Sequence, residues 1–226
     1  MNVISYFNLI PGSEFSSESE KLIDIWKKSW QKHGWNTILL NESHAKRNPL
    51  LNKLDLDNPD ANFYKTISPF MWQYHRSCYY RLLAYCQYVR ENGVALYADY
   101  DVINYGFPAD ILKSTPEDSY FCPSRCMVYL GNKGKDEIEN AILNFNNKEF
   151  SENEVHGSCN DMSVMNKYTN CFNFQKDQNN QMYVSSIIPD LSNQTPLIHY
   201  DGGCYRRGFD RKFTRLDIIK QYEKII

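Results

Sequence analysis

The chain has 226 residues, of which 42% are hydrophobic and 15% aromatic, and its formal net charge is −2 at pH 7. This length and composition suffice for one globular domain with a sizeable core. The near-neutral charge argues against a general nucleic-acid binder, which needs a patch of positive charge to neutralise phosphates.

The N-terminus predicts a first β-strand rather than a targeting segment. Residues 3–7 form a short β-rich run, and residues 1–7 contain neither a basic start nor a long apolar stretch, so we expect no signal peptide. No segment reaches the roughly 18 apolar residues that a transmembrane helix needs. The seven cysteines are scattered and odd in number, which is typical of reduced thiols. We therefore expect a soluble, cytoplasmic protein.

A strand–helix–strand unit opens the predicted fold. Apolar residues at helical spacing predict a helix over residues 18–33, which Gly34 ends, and residues 35–40 predict a second strand. Two strands joined through a helix are expected to lie parallel in one sheet. Residues 41–61 are polar and contain two prolines, and we expect them to form an irregular excursion over the surface.

A long helix and a buried strand follow. The apolar stripe predicts a helix over residues 69–91, with Ser68 as its N-cap and Gly93 at its end. The largely apolar residues 94–103 then predict a strand that is covered on both faces, as in an α/β sheet.

The rest of the chain predicts further strands and helices without an internal repeat or a clear linker. The predicted elements are a small helix near residue 111, a strand over 120–130, a helix over 136–145, a short helix over 158–168, strands over 183–188 and 197–200, and a helix over 215–226. The fold class that follows is α/β, with a mixed, mostly parallel sheet flanked by helices in a Rossmann-like arrangement. We predict a single domain over residues 1–226.

Asp99 and Asp101 provide the strongest functional signal in the chain. In a strand they point to the same face, whereas Tyr100 points to the other. Two adjacent like charges are costly at the end of a buried strand unless they meet water or a cation, and open α/β sheets bind ligands at the carboxyl ends of their strands. The pattern indicates a metal site; the alternative, in which each aspartate caps a turn, stays open.

Two further side chains stand at the ends of predicted elements. Asp161 lies near the start of a predicted helix, and His199 lies near the end of a predicted strand. Carboxylates with one imidazole suit Mn²⁺ or Mg²⁺ and leave positions for phosphate oxygens. The structural alternatives are a helix cap for Asp161 and a buried, hydrogen-bonded histidine for His199.

Several segments resemble the GT-A-fold glycosyltransferases that carry an Asp-x-Asp motif. Residues 81–93 and 97–102 resemble the arginine-bearing helix, the glycine turn and the Asp-x-Asp strand of that family. Residues 197–203 resemble its late metal-binding histidine segment, and residues 160–166 stand where such families place an acidic residue near the sugar.

The resemblance implies a GT-A-like fold with a nucleotide-binding half (residues 1–105) and an acceptor-binding half (residues 106–226). It implies metal-dependent transfer of a sugar from a nucleoside diphosphate sugar, a UDP-sugar ahead of a GDP-sugar, to a glycan or other hydroxyl acceptor. The implied ligands of Mn²⁺ (or Mg²⁺) are Asp99, Asp101 and His199.

The remaining implied roles concern catalysis and the donor. Asp161 is the catalytic carboxylate: a general base if the reaction inverts, or a group that steadies the donor sugar if the reaction retains. The residues implied to contact the nucleotide sugar are Tyr6, Phe7, Asn8, Arg76, Arg81, Asp99, Asp101 and Arg206. The arginines suit this role because a guanidinium donates two hydrogen bonds at once to a phosphate.

Two other functions stay open at the level of sequence. A metal-dependent nucleotidyltransferase shares the α/β plan and the paired carboxylates, but it would need a glycine-rich basic signature after the first strand, where residues 11–13 read Pro-Gly-Ser. A non-catalytic carbohydrate- or protein-binding module would keep the fold with a decayed site. The presence of both Asp99 and Asp101 argues against that decay.

Overall fold

The computed structural model describes residues 1–9, 16–58, 60, 72–113, 120–124, 126–147, 184–185, 196–200 and 215–222. In these ranges the strands are β1 (Asn2–Tyr6), β2 (Asn36–Leu40), β3 (Ala95–Ala98), β4 (Val102–Asn104), β5 (Tyr120–Ser124), β6 (Met127–Leu130), β7 (Val184–Ser185) and β8 (Leu197–His199). The α-helices are α1 (Ser16–Lys32), α2 (Glu42–Lys46), α3 (Trp72–Asn92), α4 (Asn132–Asn146) and α5 (Arg215–Tyr222). Short 3-10 helices cover Pro49–Lys53 and Ala109–Leu112.

The main sheet has five strands in the order β2–β1–β3–β6–β5. Strand β1 pairs parallel with β2 and with β3, whereas β6 pairs antiparallel with β3 and with β5. Four of the five strands therefore run in one direction and β6 runs in the other. This arrangement confirms the predicted fold class, a mixed and mostly parallel sheet flanked by helices.

The two faces of this sheet contribute to two separate hydrophobic clusters. Along β1 and β3 the side chains alternate, so that Ile4 and Tyr97 face one cluster, and Val3 and Leu96 face the other. Helices α2, α3 and α4 cover the first face. Helices α1 and α5 cover the second, together with a smaller sheet in the order β4–β8–β7. The expectation that the central strand is buried on both faces is confirmed.

Glycines end the two long helices where the sequence predicts them. Gly34 follows α1 with φ +83° and Gly93 follows α3 with φ +81°, in the left-handed region that only glycine adopts at little cost. The backbone N–H of Gly93 donates to the carbonyl oxygen of Val89 at 2.9 Å, which closes the last turn of α3. The predicted N-cap of this helix, Ser68, lies outside the described residues.

Three local predictions are wrong in detail. The strand predicted over residues 94–103 breaks into β3 and β4, and the strand predicted over residues 120–130 is the hairpin of β5 and β6. The segment predicted as irregular contains α2, because the side chain of Asn41 accepts a hydrogen bond from the backbone N–H of Ser43 and caps the first turn. A helix as short as α2 leaves too few turns for a periodic signal in the sequence.

Helix α3 is the longest of the described helices, with 21 residues, but charged side chains interrupt its apolar surface. Across the ranges that the structure describes, no helix combines the length and the apolar character needed to cross a bilayer.

Two tryptophans of α1 provide a matched test of how this helix holds β4. Both Trp26 and Trp30 are fully buried, and the indole N–H of Trp30 donates to the carbonyl oxygen of Val102 at 2.9 Å. The indole N–H of Trp26 has no hydrogen-bond partner among the described residues.

We expect Trp30→Phe to lower the free energy of unfolding by about 1–2 kcal/mol more than Trp26→Phe, because only the first change removes a buried hydrogen bond. Urea unfolding of the two variants measures the difference. Equal losses would show that the bond to Val102 contributes nothing to stability.

Candidate metal and donor site

Asp99 and Asp101 belong to a tight turn between β3 and β4 rather than to a continuous strand. The backbone N–H of Val102 donates to the carbonyl oxygen of Asp99 at 2.9 Å and closes this turn. Distant segments hold it from both sides: the N–H of Asp99 donates to the carbonyl oxygen of Cys126 at 2.8 Å, and the N–H of Tyr200 donates to that of Asp101 at 2.9 Å. The two carboxylates are therefore brought together by a turn that backbone hydrogen bonds hold on both sides. The alternation of side chains along a strand does not bring them together.

Strand β8 brings His199 to the same place. Antiparallel pairing of β4 with β8 sets Val102 opposite His199, next to the turn. Ligand atoms of Asp99, Asp101 and His199 lie within 4.8 Å of one another. The three residues that the sequence analysis named as metal ligands thus form one cluster, which we call the acidic triad.

Arginines pair with both carboxylates of the acidic triad. Arg81, on α3, donates from Nη1 to Oδ1 of Asp99 at 3.0 Å. Arg215, at the start of α5, donates from Nη1 to Oδ2 of Asp101 at 3.2 Å, while Nε2 of His199 lies 3.2 Å from Oδ1 of the same carboxylate. Both oxygens of Asp101 are therefore in contact with cationic or imidazole nitrogens.

Burial and these neighbours act in opposite directions on ionisation within the triad. Burial opposes the charged form of Asp101, but His199 and Arg215 lower the pKa of its carboxyl below the usual value. Burial likewise opposes the charged form of His199, but Asp101 and the Cys126 thiol raise the pKa of its imidazole well above the usual value. These neighbours favour the charged forms of both side chains, and a cation bound by the imidazole would take the place of its proton.

The residues at the end of β1 lie next to the turn that carries Asp99 and Asp101. The ring of Phe7 packs edge-on against Tyr100, with ring centroids 5.6 Å apart, so that it borders the turn. Tyr6 is buried, and burial raises the pKa of its phenol. Asn8 donates from Nδ2 to Oε2 of Glu42 at 3.3 Å.

Arg76 lies in a second charged cluster, next to Asn8. Its Nη2 donates to Oε1 of Glu42 at 3.1 Å and to the hydroxyl oxygen of Tyr80 at 3.0 Å, and its Nε bonds to Asp57. We call these four side chains the Glu42 cluster. Of the two arginines on α3 named from the sequence, Arg81 therefore contacts the acidic triad, whereas the described partners of Arg76 are in the Glu42 cluster.

Two of the predicted site residues, Asp161 and Arg206, lie outside the described residues. The structure adds Cys126, which the sequence did not indicate, and Arg215, which the sequence indicated only as one residue of a basic stretch. Arg215 begins a predicted helix within a basic stretch, and such residues are ordinarily exposed. Only its burial, with 6% of its surface exposed, and its contact with Asp101 distinguish it.

Comparison with known proteins gives no family assignment: no model of a protein family matches the chain, and no curated protein matches its sequence. The residues of the site and their geometry therefore carry the assignment of a function.

The Glu42 cluster allows a test at acid pH. The hydrogen bond from Arg76 lowers the pKa of Glu42 from 4.5 to about 2, against the opposing effect of burial. Because the folded-state pKa lies below that of the unfolded chain, the stabilisation is present above pH 4.5 and is lost as the pH falls toward 2.

We expect Glu42→Gln to lower the free energy of unfolding by about 1–3 kcal/mol at pH 6, and we expect this difference to shrink progressively as the pH falls to 3. Chemical unfolding at a series of pH values measures it. Glu20→Gln, at an exposed position on α1, is the control for the loss of a carboxylate outside the Glu42 cluster. A constant difference for Glu42→Gln would contradict the assigned ion pair.

Proposed function

We propose that this chain is a metal-dependent glycosyltransferase, which transfers a sugar from a nucleoside diphosphate sugar to an acceptor hydroxyl. One observation carries the proposal: Asp99, Asp101 and His199, which are far apart in the sequence, have ligand atoms within 4.8 Å of one another. They lie beyond the carboxyl end of β3, at the edge where open α/β sheets bind their ligands.

The chemistry of the acidic triad fits Mn²⁺ or Mg²⁺. Two carboxylates and one imidazole form a mixed oxygen–nitrogen set that suits such cations and leaves coordination positions for other ligands. Asp99, Asp101 and His199 would hold the ion, which would supply positive charge to the diphosphate as it becomes the leaving group.

The side chains around the triad would orient the donor. Asp99 is the more open of the two carboxylates, with 20% of its side chain exposed against 12% for Asp101. Asp101 would therefore hold the cation from within the protein, and Asp99 would hold it at the boundary with the nucleotide sugar. Arg81 holds Asp99 at this boundary and is placed to add a guanidinium donor for phosphate or sugar oxygens.

The nucleobase of the donor and the acceptor would occupy different parts of the sheet edge at which the acidic triad lies. The ring of Phe7 next to Tyr100 supports a nucleoside position at the end of β1, beside the turn. This position agrees with a GT-A-like fold in which residues 1–105 bind the nucleotide and residues 106–226 contribute to the acceptor site. Asp161 remains the proposed catalytic carboxylate.

A binding experiment tests the donor site without knowledge of the acceptor. Thermal unfolding is followed with a panel of nucleoside diphosphates and their sugars, each with and without Mn²⁺. Binding to the native state raises the melting temperature with the logarithm of saturation. We expect a shift that requires both Mn²⁺ and one nucleotide, with uridine ahead of guanosine.

The released product separates the alternatives. Slow hydrolysis of the nucleotide sugar with release of a nucleoside diphosphate would support glycosyl transfer, whereas release of pyrophosphate from a nucleoside triphosphate supplied with a sugar 1-phosphate would identify a nucleotidyltransferase. Binding without any turnover would favour a carbohydrate- or protein-binding module. No shift with any nucleotide would leave the triad a structural ion cluster and overturn the proposal.

Substitutions in the triad give the matching prediction. Asp101→Asn should weaken Mn²⁺-dependent nucleotide binding at least tenfold, because it removes a ligand charge, and His199→Gln should weaken it in the same direction. Asp110→Asn changes an exposed aspartate in the short 3-10 helix and should bind as the unmodified chain does. Isothermal titration measures all three. Unchanged binding in Asp101→Asn would remove the metal assignment.

A further inference from the structure

Strand β2 forms one edge of the main sheet and pairs along its other side with β1. The N–H of Asn36 donates to the carbonyl oxygen of Met1 at 3.0 Å. The carbonyl oxygen of Leu40 accepts from the N–H of Phe7, also at 3.0 Å. A residue in a parallel strand directs both of its backbone groups to one side, and the side alternates along the strand. Ile38, midway between Asn36 and Leu40, therefore also bonds to β1.

Thr37 and Leu39 consequently direct their backbone groups away from the sheet. Within the described part of the chain, no hydrogen bond reaches these two N–H and two C=O groups. Both residues are only half-buried, so the protein does not enclose this stretch of the strand. An unpaired edge of this kind is a template on which a strand of another chain can add.

The two edges of the main sheet differ in how they are protected against such addition. Strand β5, at the opposite edge, contains Pro123, and its pairing with β6 is irregular between Phe121 and Ser124. Proline, irregular pairing and charged side chains are the devices by which proteins keep strands from adding to an edge. Residues 36–40 read Asn-Thr-Ile-Leu-Leu and contain neither a charge nor a proline. Of these two edges, β2 is the one that remains able to pair.

We propose that β2 is the interface of a homodimer, in which it pairs antiparallel with β2 of a second copy of this chain. A two-fold axis at Ile38 sets Thr37 of each copy opposite the partner's Leu39. Two residues that face each other in this way exchange both of their hydrogen bonds. The axis repeats the exchange on the other side of Ile38, so that four hydrogen bonds use all the outward groups of both strands. The edge is therefore self-complementary, as the interface of a two-fold dimer must be.

The side chain at the proposed axis favours a second copy over a strand of another protein. Ile38 is half-buried and packs against the hydrophobic cluster on the first face of the main sheet. In the two-fold pairing it lies directly opposite the partner's Ile38, with Cβ atoms about 4.5–5.5 Å apart. This contact removes apolar surface of both copies from water. Any strand offers backbone groups to the edge, but self-pairing also provides the matching isoleucine.

The dimer would contain one continuous sheet in which the two copies run in opposite directions. Because β2 runs parallel to β1 and β3, the carboxyl ends of the strands in the second copy lie at the opposite edge of the joined sheet. The two acidic triads would therefore lie far from each other, and the pairing adds no residue to either one. The homodimer is thus independent of the proposed function, and either can fail without the other.

Sedimentation velocity over a wide range of protein concentrations tests whether the dimer exists. We expect the unmodified chain to shift from the mass of one copy, 26.6 kDa, toward twice that mass as the concentration rises. The affinity should be modest, because two paired strands of five residues bury less area than a standard protein interface. A chain that stays monomeric would overturn the proposal and leave the edge to a strand of another protein.

The second experiment assigns the dimer to the outward groups of β2. Thr37→Pro removes an outward N–H and spares the bonds between β1 and β2, so we expect it to weaken dimerisation at least tenfold. Thr37→Val is the matched control: both variants lose the hydroxyl that accepts from Nε2 of Gln31 at 3.0 Å, but valine keeps the N–H. We expect Thr37→Val to dimerise as the unmodified chain does. Equal dimerisation of the two variants would show that the interface lies elsewhere.

A second variant covers the case in which Thr37→Pro does not fold, as judged by circular dichroism. Thr37→Lys keeps the backbone groups but places a charge on the edge, in the manner of natural edge strands. It should likewise weaken dimerisation at least tenfold relative to Thr37→Val. Undiminished dimerisation in a folded Thr37→Lys would overturn the proposal.

Cross-linking tests the position of the axis. Ile38→Cys places two thiols opposite each other, with Cα atoms about 4.5 Å apart, a separation that a disulfide spans. Oxidised glutathione takes up the two electrons and two protons released as the disulfide forms, and we expect a covalent dimer that reductant dissolves. Thr37→Cys sets its thiols off the axis and should cross-link at least fivefold less, as should the unmodified chain with its native cysteines. Equal cross-linking of the two variants would contradict an axis at Ile38.

Discussion

Where the candidate site lies, beyond the carboxyl end of β3, the described fold depends on the partners of one buried carboxylate. Asp101 accepts a backbone hydrogen bond from Tyr200, and its side chain contacts His199 and Arg215. A buried carboxylate is stable only when such partners surround it, and removing one leaves the others with uncompensated charge. Asp101 therefore joins the turn after β3 to β8 and to α5, and the same contacts that hold these segments together also assemble the proposed metal ligands.

The hydrophobic core determines where this charged edge can lie. The indole N–H of Trp30 donates to the carbonyl oxygen of Val102 at 2.9 Å and fixes β4 against α1. The indole N–H of Trp35 donates to the carbonyl oxygen of Phe107 at 2.8 Å and fixes the segment after β4 against the connection between α1 and β2. Because β4 begins directly after the Asp-Tyr-Asp turn, its position limits where the turn can point. Apolar packing on both faces of the main sheet thus supports a polar site beyond the end of β3, where charge can reach solvent and ligands.

The elements whose signal is local could be predicted from the order of the residues alone. Strand alternation and helical periodicity are properties of neighbouring residues, and they were sufficient to predict the sheet class, the long helices α1 and α3, and the glycines that end them. Asp99 and Asp101 were also identifiable as candidate ligands, because carboxylates after a buried strand are costly without a partner. His199 was identifiable from its position near the end of a predicted strand. The resemblance of these segments to GT-A-fold glycosyltransferases suggests which chemistry the ligands would serve, and geometry alone does not provide that.

How those residues meet depends on contacts between segments that are distant in the sequence. The strand predicted over residues 94–103 breaks at the aspartates because a hydrogen bond to the carbonyl oxygen of Cys126 and one from the N–H of Tyr200 hold a turn there, and neither residue is near in sequence. The contact between Arg215 and Asp101, 114 residues apart, likewise has no local pattern that could have predicted it. Local sequence specifies the conformations that each segment prefers, whereas the partner of a buried charge is selected by the packing of the whole chain.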